Sequence, residues 1–474
     1  MATKLSIFYG EYQKALDEGE AAVFIGAGLS APAGFVSWKE LLREIADELE
    51  LDIDKETDLI ALAQYHVNYA GGRGKINQKL MDEFTKDAEP TANHHLLATL
   101  PLATVWTTNY DRLLEDAFEA AHKRVDRKVV PQDLARTVPK RDVVVYKMHG
   151  DITRPDEAVL TKDDYERYND RRQLFSIQLQ GDLVSKTFLF LGFSFTDPNI
   201  GYILGRVRSL VGENRRPHYW VTRDAASEST PDPQEIRRQK HRVEDLKTYG
   251  IQTIFIQDYR EITEILRELH RRVHRKNVFV SGSAADFAPL GRSRVEILTR
   301  RLGATLIENG FNVVSGMGLG IGDAISMGAI EAVFQRPGSH LEERTVLRPF
   351  PQMDPVHGDR TALWRRYREE MIDRARSSIY LLGNKDEGGT IVDASGMLEE
   401  FEIAKARGVY PIPVGASGFV AADLWREVRA NLPSYYGGLA PAVERSLDTL
   451  NNSAASDDQL IDAIVKILKT IAPK

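Results

Sequence analysis

Four segments of the chain carry residues suited to chemistry, and each follows a short apolar run. Ala21–Ile25 leads into Gly26-Ala27-Gly28-Leu29-Ser30-Ala31, and Val105-Trp106 leads into Thr107-Thr108-Asn109-Tyr110-Asp111. Val143–Lys147 leads into Met148-His149-Gly150-Asp151, and Thr187–Leu191 into Gly192-Phe193-Ser194-Phe195. A Gly-x-Gly turn after a strand lets backbone N–H groups approach a diphosphate without interference from Cβ, and the next helix N-terminus favours the negative charge. The same turn also serves as a tight structural corner, and the third glycine of the dinucleotide fingerprint is absent here. An asparagine amide can hydrogen-bond a hydroxyl or an attacking water while carrying no charge to desolvate. A histidine can act as general base, because an unperturbed imidazole titrates near neutrality. These pieces form one site only if the strands are parallel, since ligands then sit beyond their carboxyl ends.

The elements that must position them alternate strand and helix, which predicts parallel sheets covered by helices. Further strands are expected at Ala103–Trp106, Tyr219–Thr222 and Thr253–Ile256, and Leu41, Leu42, Ile45, Ala46 and Leu49 fall on one helical stripe. The polar stretch Arg223–Glu235 reads as a surface loop. A second series follows, with strands at Val278–Ser281, Asn312–Ser315, Ile379–Leu382 and Val409–Val414 and helices around Arg294–Glu308, Ile321–Phe334 and Met397–Arg407. Two α/β domains are therefore expected, over 1–274 and 275–474. In the second, Ser281-Gly282-Ser283 and Ser315-Gly316-Met317-Gly318-Leu319-Gly320 are two glycine-rich turns after strands, suited to phosphate or to close packing of helix on sheet.

Composition narrows the options. The 474 residues include 69 acidic and 62 basic side chains and no cysteine, which excludes disulfides, thiolate nucleophiles and Cys-ligated zinc. The net charge of −7 argues against nucleic acid as a partner. No apolar run is long enough to span a membrane and no signal peptide opens the chain, so a cytoplasmic protein is expected. The basic clusters Arg237–Arg242 and Arg271–Lys276 read as solvated helix faces. His66, His94 and His95 lack partners at metal-ligand spacing, and no metal site is expected.

The first domain resembles the sirtuin family through GAGLSAPAGF, Thr-Asn-Tyr-Asp, Lys-Met-His-Gly-Asp and the Gly192-Phe193-Ser194-Phe195 turn. The resemblance implies that Gly26, Ala27, Gly28, Ser30, Asp111, Gly192 and Ser194 hold NAD+ and that Asn109 and His149 serve the chemistry beside the nicotinamide ribose. Asp111 is expected to meet the nicotinamide amide, and Asp151 either joins the site or caps a helix. Asp197 or Thr196 is expected to cap the helix that starts near Pro198. Sirtuin deacylases carry a four-cysteine zinc module, which this chain lacks, and Val36-Ser37-Trp38-Lys39 replaces their Pro-Asp-Phe-Arg. Water is then the expected acceptor.

Residues 276–474 resemble the SLOG nucleotide-sensing domains, whose enzymes carry Pro-Gly-Gly-x-Gly-Thr-x-x-Glu; here Gly388-Gly389-Thr390 remains, but Glu399 and Glu400 lie farther on. The order of the two domains, with VSKTFLFLGFSFTDPN, VLRPFPQ and Tyr367-Arg368-Glu369-Glu370-Met371, resembles the effector family of Thoeris anti-phage defence. That resemblance implies an NAD+ hydrolase activated by a cyclic ADP-ribose isomer from a TIR-domain partner, in a homotetramer or larger assembly. The implied ligand residues are Arg368 and Glu400, with Gly282, Ser283, Gly316, Gly318, Leu319, Gly320 and Lys385 as further candidates. A protein deacylase and a non-catalytic nucleotide sensor are the competing expectations.

Overall fold

The computed structural model describes residues 3–212, 215–351 and 359–472. The chain divides into two compact units, Met1–Val273 and His274–Lys474. The first is built on seven strands, β1 Ala21–Ile25, β2 Thr104–Thr107, β3 Val125–Lys128, β4 Val143–Lys147, β5 Thr187–Leu191, β6 His218–Arg223 and β7 Ile251–Ile256. Their order across the sheet is β3-β4-β2-β1-β5-β6-β7, with every pairing parallel. The two α/β domains expected from the alternation of strand and helix have the parallel, helix-covered sheets of that class.

The central strands are buried throughout because both faces are covered: β1, β2 and β5 are buried at every position and are apolar apart from threonines at the ends of β2 and the start of β5. On one face Phe8, Tyr12, Leu97, Phe118, Ile265 and Leu269 pack against Val23, Val105 and Leu189. On the other, Phe175, Leu179, Ile203 and Leu246 pack against Phe24, Trp106 and Phe190. Edge strand β3 was not expected. Its sequence VDRK is polar, and Lys128 and Asp126 are buried by pairing with each other at 2.8 Å while Arg141 reaches Asp126 at 3.0 Å.

The second unit holds β8 Asn277–Ser283, β9 Asn312–Ser315, β10 Thr345–Leu347, β11 Ser377–Leu382, the antiparallel ribbon β12 Asn384–Glu387 and β13 Thr390–Asp393, and β14 Tyr410–Pro413. The main sheet is parallel, in the order β10-β9-β8-β11-β14. The ribbon corrects the reading of Gly388-Gly389: both have positive φ (64° and 89°) and form the hairpin turn. The stripe Leu41 to Leu49 runs over two short helices, Trp38–Leu41 and Arg43–Glu48, and not a single one. Among the described residues, no helix is long and apolar enough to cross a membrane.

Candidate functional site

The strand order of the first sheet reverses at β1, whose neighbours are β2 and β5. A cavity of about 720 Å³ opens there, lined by Gly26, Ala27, Gly28, Ser30, Asn109, Asp111, His149, Gly192 and Ser194. The structure thus brings together all the residues of this domain singled out above as catalytic or NAD+-binding. The volume suits a cofactor-sized ligand. The wall also includes Asp58 and Asp197, Tyr110 and Tyr165, and the apolar group Phe35, Val36, Trp38, Leu41 and Phe84.

Asn109 is held from behind. Its backbone N–H donates to Thr107 Oγ1 at 2.9 Å, and that hydroxyl donates to Ile25 O at 3.0 Å. Its Nδ2 donates to Gly26 O at 3.2 Å and to Ser30 Oγ at 3.0 Å. Because a carbonyl only accepts, Gly26 O fixes which way the amide points. The amide oxygen is then buried and has no partner among the described residues. A buried acceptor left open is costly, and it suits a hydroxyl or water donor entering the cavity.

His149 follows β4 and is buried, with Tyr165 edge-on at 5.5 Å and Tyr168 at 6.4 Å. Its Nε2 stands 2.8 Å from Asp197 Oδ2, although the carboxylate lies off the line of a ring N–H bond. Asp197 caps the helix Pro198–Val211, as expected, by accepting from Asn199 N at 2.8 Å and Ile200 N at 3.2 Å through Oδ1. Burial pushes its carboxyl up, but His149 and the two backbone donors outweigh this and hold it below the ordinary carboxylate range. Sequence reasoning missed the second role. The available signal was that a cap needs one carboxylate oxygen and Asp has two.

The glycines of the first turn also form the tight structural corner that was the second of the two readings of this turn. The Gly28 N–H donates to Gly192 O at 3.0 Å, so it is committed within the protein and not to a diphosphate. A Cβ on Gly26 would lie 2.3 Å from Gly192 O, so the two turns can approach only because both are glycine. Ser194 Oγ shares a 2.8 Å hydrogen bond with Thr196 Oγ1 at the exposed rim. Asp111 lines the cavity and also accepts from Leu113 N at 3.1 Å, starting the helix Leu113–Ala120. Asp151 stands outside the cavity lining. It caps a turn and not a helix, accepting from Thr153 N at 2.9 Å, with Arg127 3.2 Å from its other oxygen. Lys147, the last residue of β4, is fully buried against Glu115 at 3.0 Å.

The apolar wall belongs to a small helical module. Leu41, Leu42, Ile45, Ile53, Leu62, Ile76 and Leu80 form its core together with Tyr110. Ser37 caps Trp38–Leu41 by accepting from Glu40 N at 3.2 Å, so Val36-Ser37-Trp38-Lys39 is a helix start that presents Val36 and Trp38 to the cavity. Nothing in the pattern separated these residues from ordinary core. Among the described residues, no group of His, Asp and Glu is placed to hold a metal.

In the second unit Ser281, Glu400, Glu399 and Arg368 form one cluster. Ser281 Oγ donates to Glu400 Oε2 at 2.5 Å, and Arg368 reaches Glu399 Oε2 at 2.8 Å and Glu400 Oε1 at 3.4 Å. The guanidinium lies over the Phe350 ring at 5.1 Å and near Trp364 at 5.8 Å. Burial pushes the Glu400 carboxyl up, with Ser281 and Arg368 acting against it. Gly316 lets Phe350 approach, since a Cβ there would lie 2.3 Å from the ring. Gly282, Gly318 and Gly320 permit the β8 and β9 turns to touch, and Ala284 N donates to Leu319 O at 2.9 Å. Ser283 Oγ donates to Asn384 O at 3.1 Å. Lys385 is half-exposed and pairs with Glu387 at 2.6 Å, and its Nζ donates to Ser395 Oγ at 3.4 Å, one residue before Gly396, where a Cβ would lie 2.6 Å from the Arg368 guanidinium. Gln352, the end of the VLRPFPQ segment, lies outside the described residues.

Comparison with known proteins agrees with this division. Residues 103–254 match a SIR2-like domain, and residues 261–471 match the Sir2- and TIR-associating SLOG family. The chain is 43% identical to the "NAD(+) hydrolase ThsA" of Bacillus cereus (strain MSX-D12), over 99% of this chain and 98% of that protein. It is 41% identical to a protein of the same name from Cytobacillus dafuensis, over 99% and 97%, and 42% identical to one from Acinetobacter baumannii (strain 532279), over 97% of both. With both units in the same order and the likeness running from end to end, this chain belongs to the ThsA family.

Proposed function

We propose that the chain is an NAD+ hydrolase of anti-phage defence, acting in the cytoplasm and releasing nicotinamide and ADP-ribose from NAD+. The single observation that carries this reading is the buried, unpartnered amide oxygen of Asn109 in the same cavity as His149. The bond between the ribose C1′ and the nicotinamide nitrogen breaks with its electron pair going to the ring, which departs neutral. Water adds to C1′, and its proton passes to His149 and then to solvent. Positive charge develops on the ribose, and the cavity lining offers the carboxylates of Asp58 and Asp111 but, among the described residues, no lysine or arginine. Carboxylates fixed near a developing cation lower the barrier without reorganising. Asn109 orients the ribose hydroxyl or the water through its open oxygen.

The second unit, in this reading, binds a cyclic ADP-ribose isomer made by a TIR-domain partner, with Arg368 on phosphate and Glu400 on a ribose hydroxyl. Binding activates cleavage, and NAD+ is depleted. The family resemblance extends the reading to a homotetramer or larger assembly. The test is incubation of the purified chain with NAD+, with and without cyclic ADP-ribose and its isomers. Nicotinamide release that needs no acyl-lysine and rises with an isomer supports the reading. Release that requires acyl-lysine makes the chain a deacylase, and binding without turnover makes it a sensor.

A further inference from the structure

We propose that Asp197 is the positioning residue for His149, and that its helix cap and its contact with the imidazole are separate duties of its two oxygens. The inference rests on the hydrolase reading above and assigns this carboxylate a part in it. Oδ1 satisfies the cap alone, taking both Asn199 N and Ile200 N. Oδ2 is not needed there, yet it stands 2.8 Å from His149 Nε2 in a buried setting. A carboxylate oxygen is expensive to bury unless something opposite it gains from its charge.

The topology gives the contact its reach. His149 leaves the end of β4 and Asp197 follows β5, while β2 and β1 lie between them in the sheet. The pair therefore spans the sheet edge that carries Asn109 and Gly26. Tyr165 and Tyr168 stand edge-on to the ring. A carboxylate beside Nε2 favours the tautomer protonated at that nitrogen, which leaves the lone pair on Nδ1 to take the proton of water. It then stabilises the imidazolium formed. The oxygen lies off the N–H direction, so a modest turn of the ring completes the bond, as is common before a substrate arrives.

Asp197→Asn separates the duties, because asparagine caps a helix as well as aspartate does but brings no charge to the imidazole. The expected result is a kcat lowered by about 10²- to 10⁴-fold, as far as the loss of a general base itself can go. KM for NAD+ and the melting temperature stay at wild-type values. The double variant with His149→Gln is expected to be no slower than His149→Gln alone, since one residue acts through the other. Turnover within twofold of wild type overturns the assignment. So does a loss of kcat accompanied by equal losses of NAD+ affinity and melting temperature, or losses that multiply in the double variant. A wild-type chain that releases no nicotinamide under any condition overturns the hydrolase reading itself, and this assignment with it.

Discussion

Glu399→Gln is expected to make the chain more sensitive to its activator. In the structure the Arg368 guanidinium is already engaged: Glu399 holds it at 2.8 Å, Glu400 stands at 3.4 Å, and two aromatic rings flank it. A phosphate that takes the guanidinium must displace Glu399 or accept its repulsion. Glu399 is 34% exposed on its side chain, so water screens part of its charge. The contribution lies between that of an exposed pair, about 0–1 kcal/mol, and that of a charge-assisted hydrogen bond, about 1.5–3 kcal/mol. Removing the competing charge should tighten binding of an anionic ligand by about 1–2 kcal/mol, or roughly five- to thirtyfold. Glutamine keeps a neutral oxygen for Arg368, so folding is preserved. Arg368→Ala is a poorer probe, because it leaves Glu400 buried without its cation, at a cost of about 3–5 kcal/mol. The assay is nicotinamide release titrated with each cyclic ADP-ribose isomer, alongside calorimetry. An unchanged or raised half-saturating concentration in Glu399→Gln would refute the reasoning and move the ligand away from Arg368.

Asn109→Ala should abolish nicotinamide release at every activator concentration and, through the loss of two amide hydrogen bonds, lower stability by about 1–3 kcal/mol. Near-normal release would remove Asn109 from the chemistry. His149→Ala should lower turnover on the order of 10²-fold or more, whereas a twofold loss would make it a lining residue only. The pH dependence of folding follows from two other histidines: burial pushes both His94 and His218 down to about 4. Their neutral folded forms give stability that is complete above pH about 6.5 and is lost as pH falls toward 4, about 2 kcal/mol each by pH 5. His94→Gln keeps an acceptor for Thr91 N and does not titrate, so its loss of stability between pH 7.5 and 5 should be smaller by about that amount, and an unaltered loss by denaturant melting would contradict the assignment.

What could be read from the sequence follows from which signals are local. AAVFI and TFLFL announce central strands because burial on both faces demands an unbroken apolar run. VDRK hides β3 because its charges are buried through Lys128, Asp126 and Arg141, a pairing that depends on distant chain. Asn109, His149 and Gly192 were legible because a parallel sheet collects strand ends at one edge, whatever the details of packing. Phe35, Trp38 and Phe84 were not, since an apolar residue facing a cavity has the same pattern as one facing a core. Arg368 and Glu400 came from the resemblance, and only the fold shows that Glu399 shares the guanidinium.

If the second unit binds a cyclic ADP-ribose isomer as proposed, the charges of the two sites keep substrate and activator apart, although both are adenine nucleotides with a diphosphate. The cavity of the first unit is lined by the carboxylates of Asp58 and Asp111, by Asp197 facing His149 and, among the described residues, by no lysine or arginine. Such a wall favours a ligand with a cationic ring and must hold a diphosphate by neutral donors, among which the Ser194 and Thr196 hydroxyls stand at the rim. The cluster of the second unit centres on a guanidinium whose opposing charges are its own glutamates. It favours a ligand whose phosphates outcompete those glutamates and gains nothing from a nicotinamide cation. An isomer of cyclic ADP-ribose has no nicotinamide, so the first cavity loses its main electrostatic gain while keeping the repulsion toward phosphate. Discrimination between the two ligands is then a difference of opposite sign at the two sites, and it needs no steric exclusion at either.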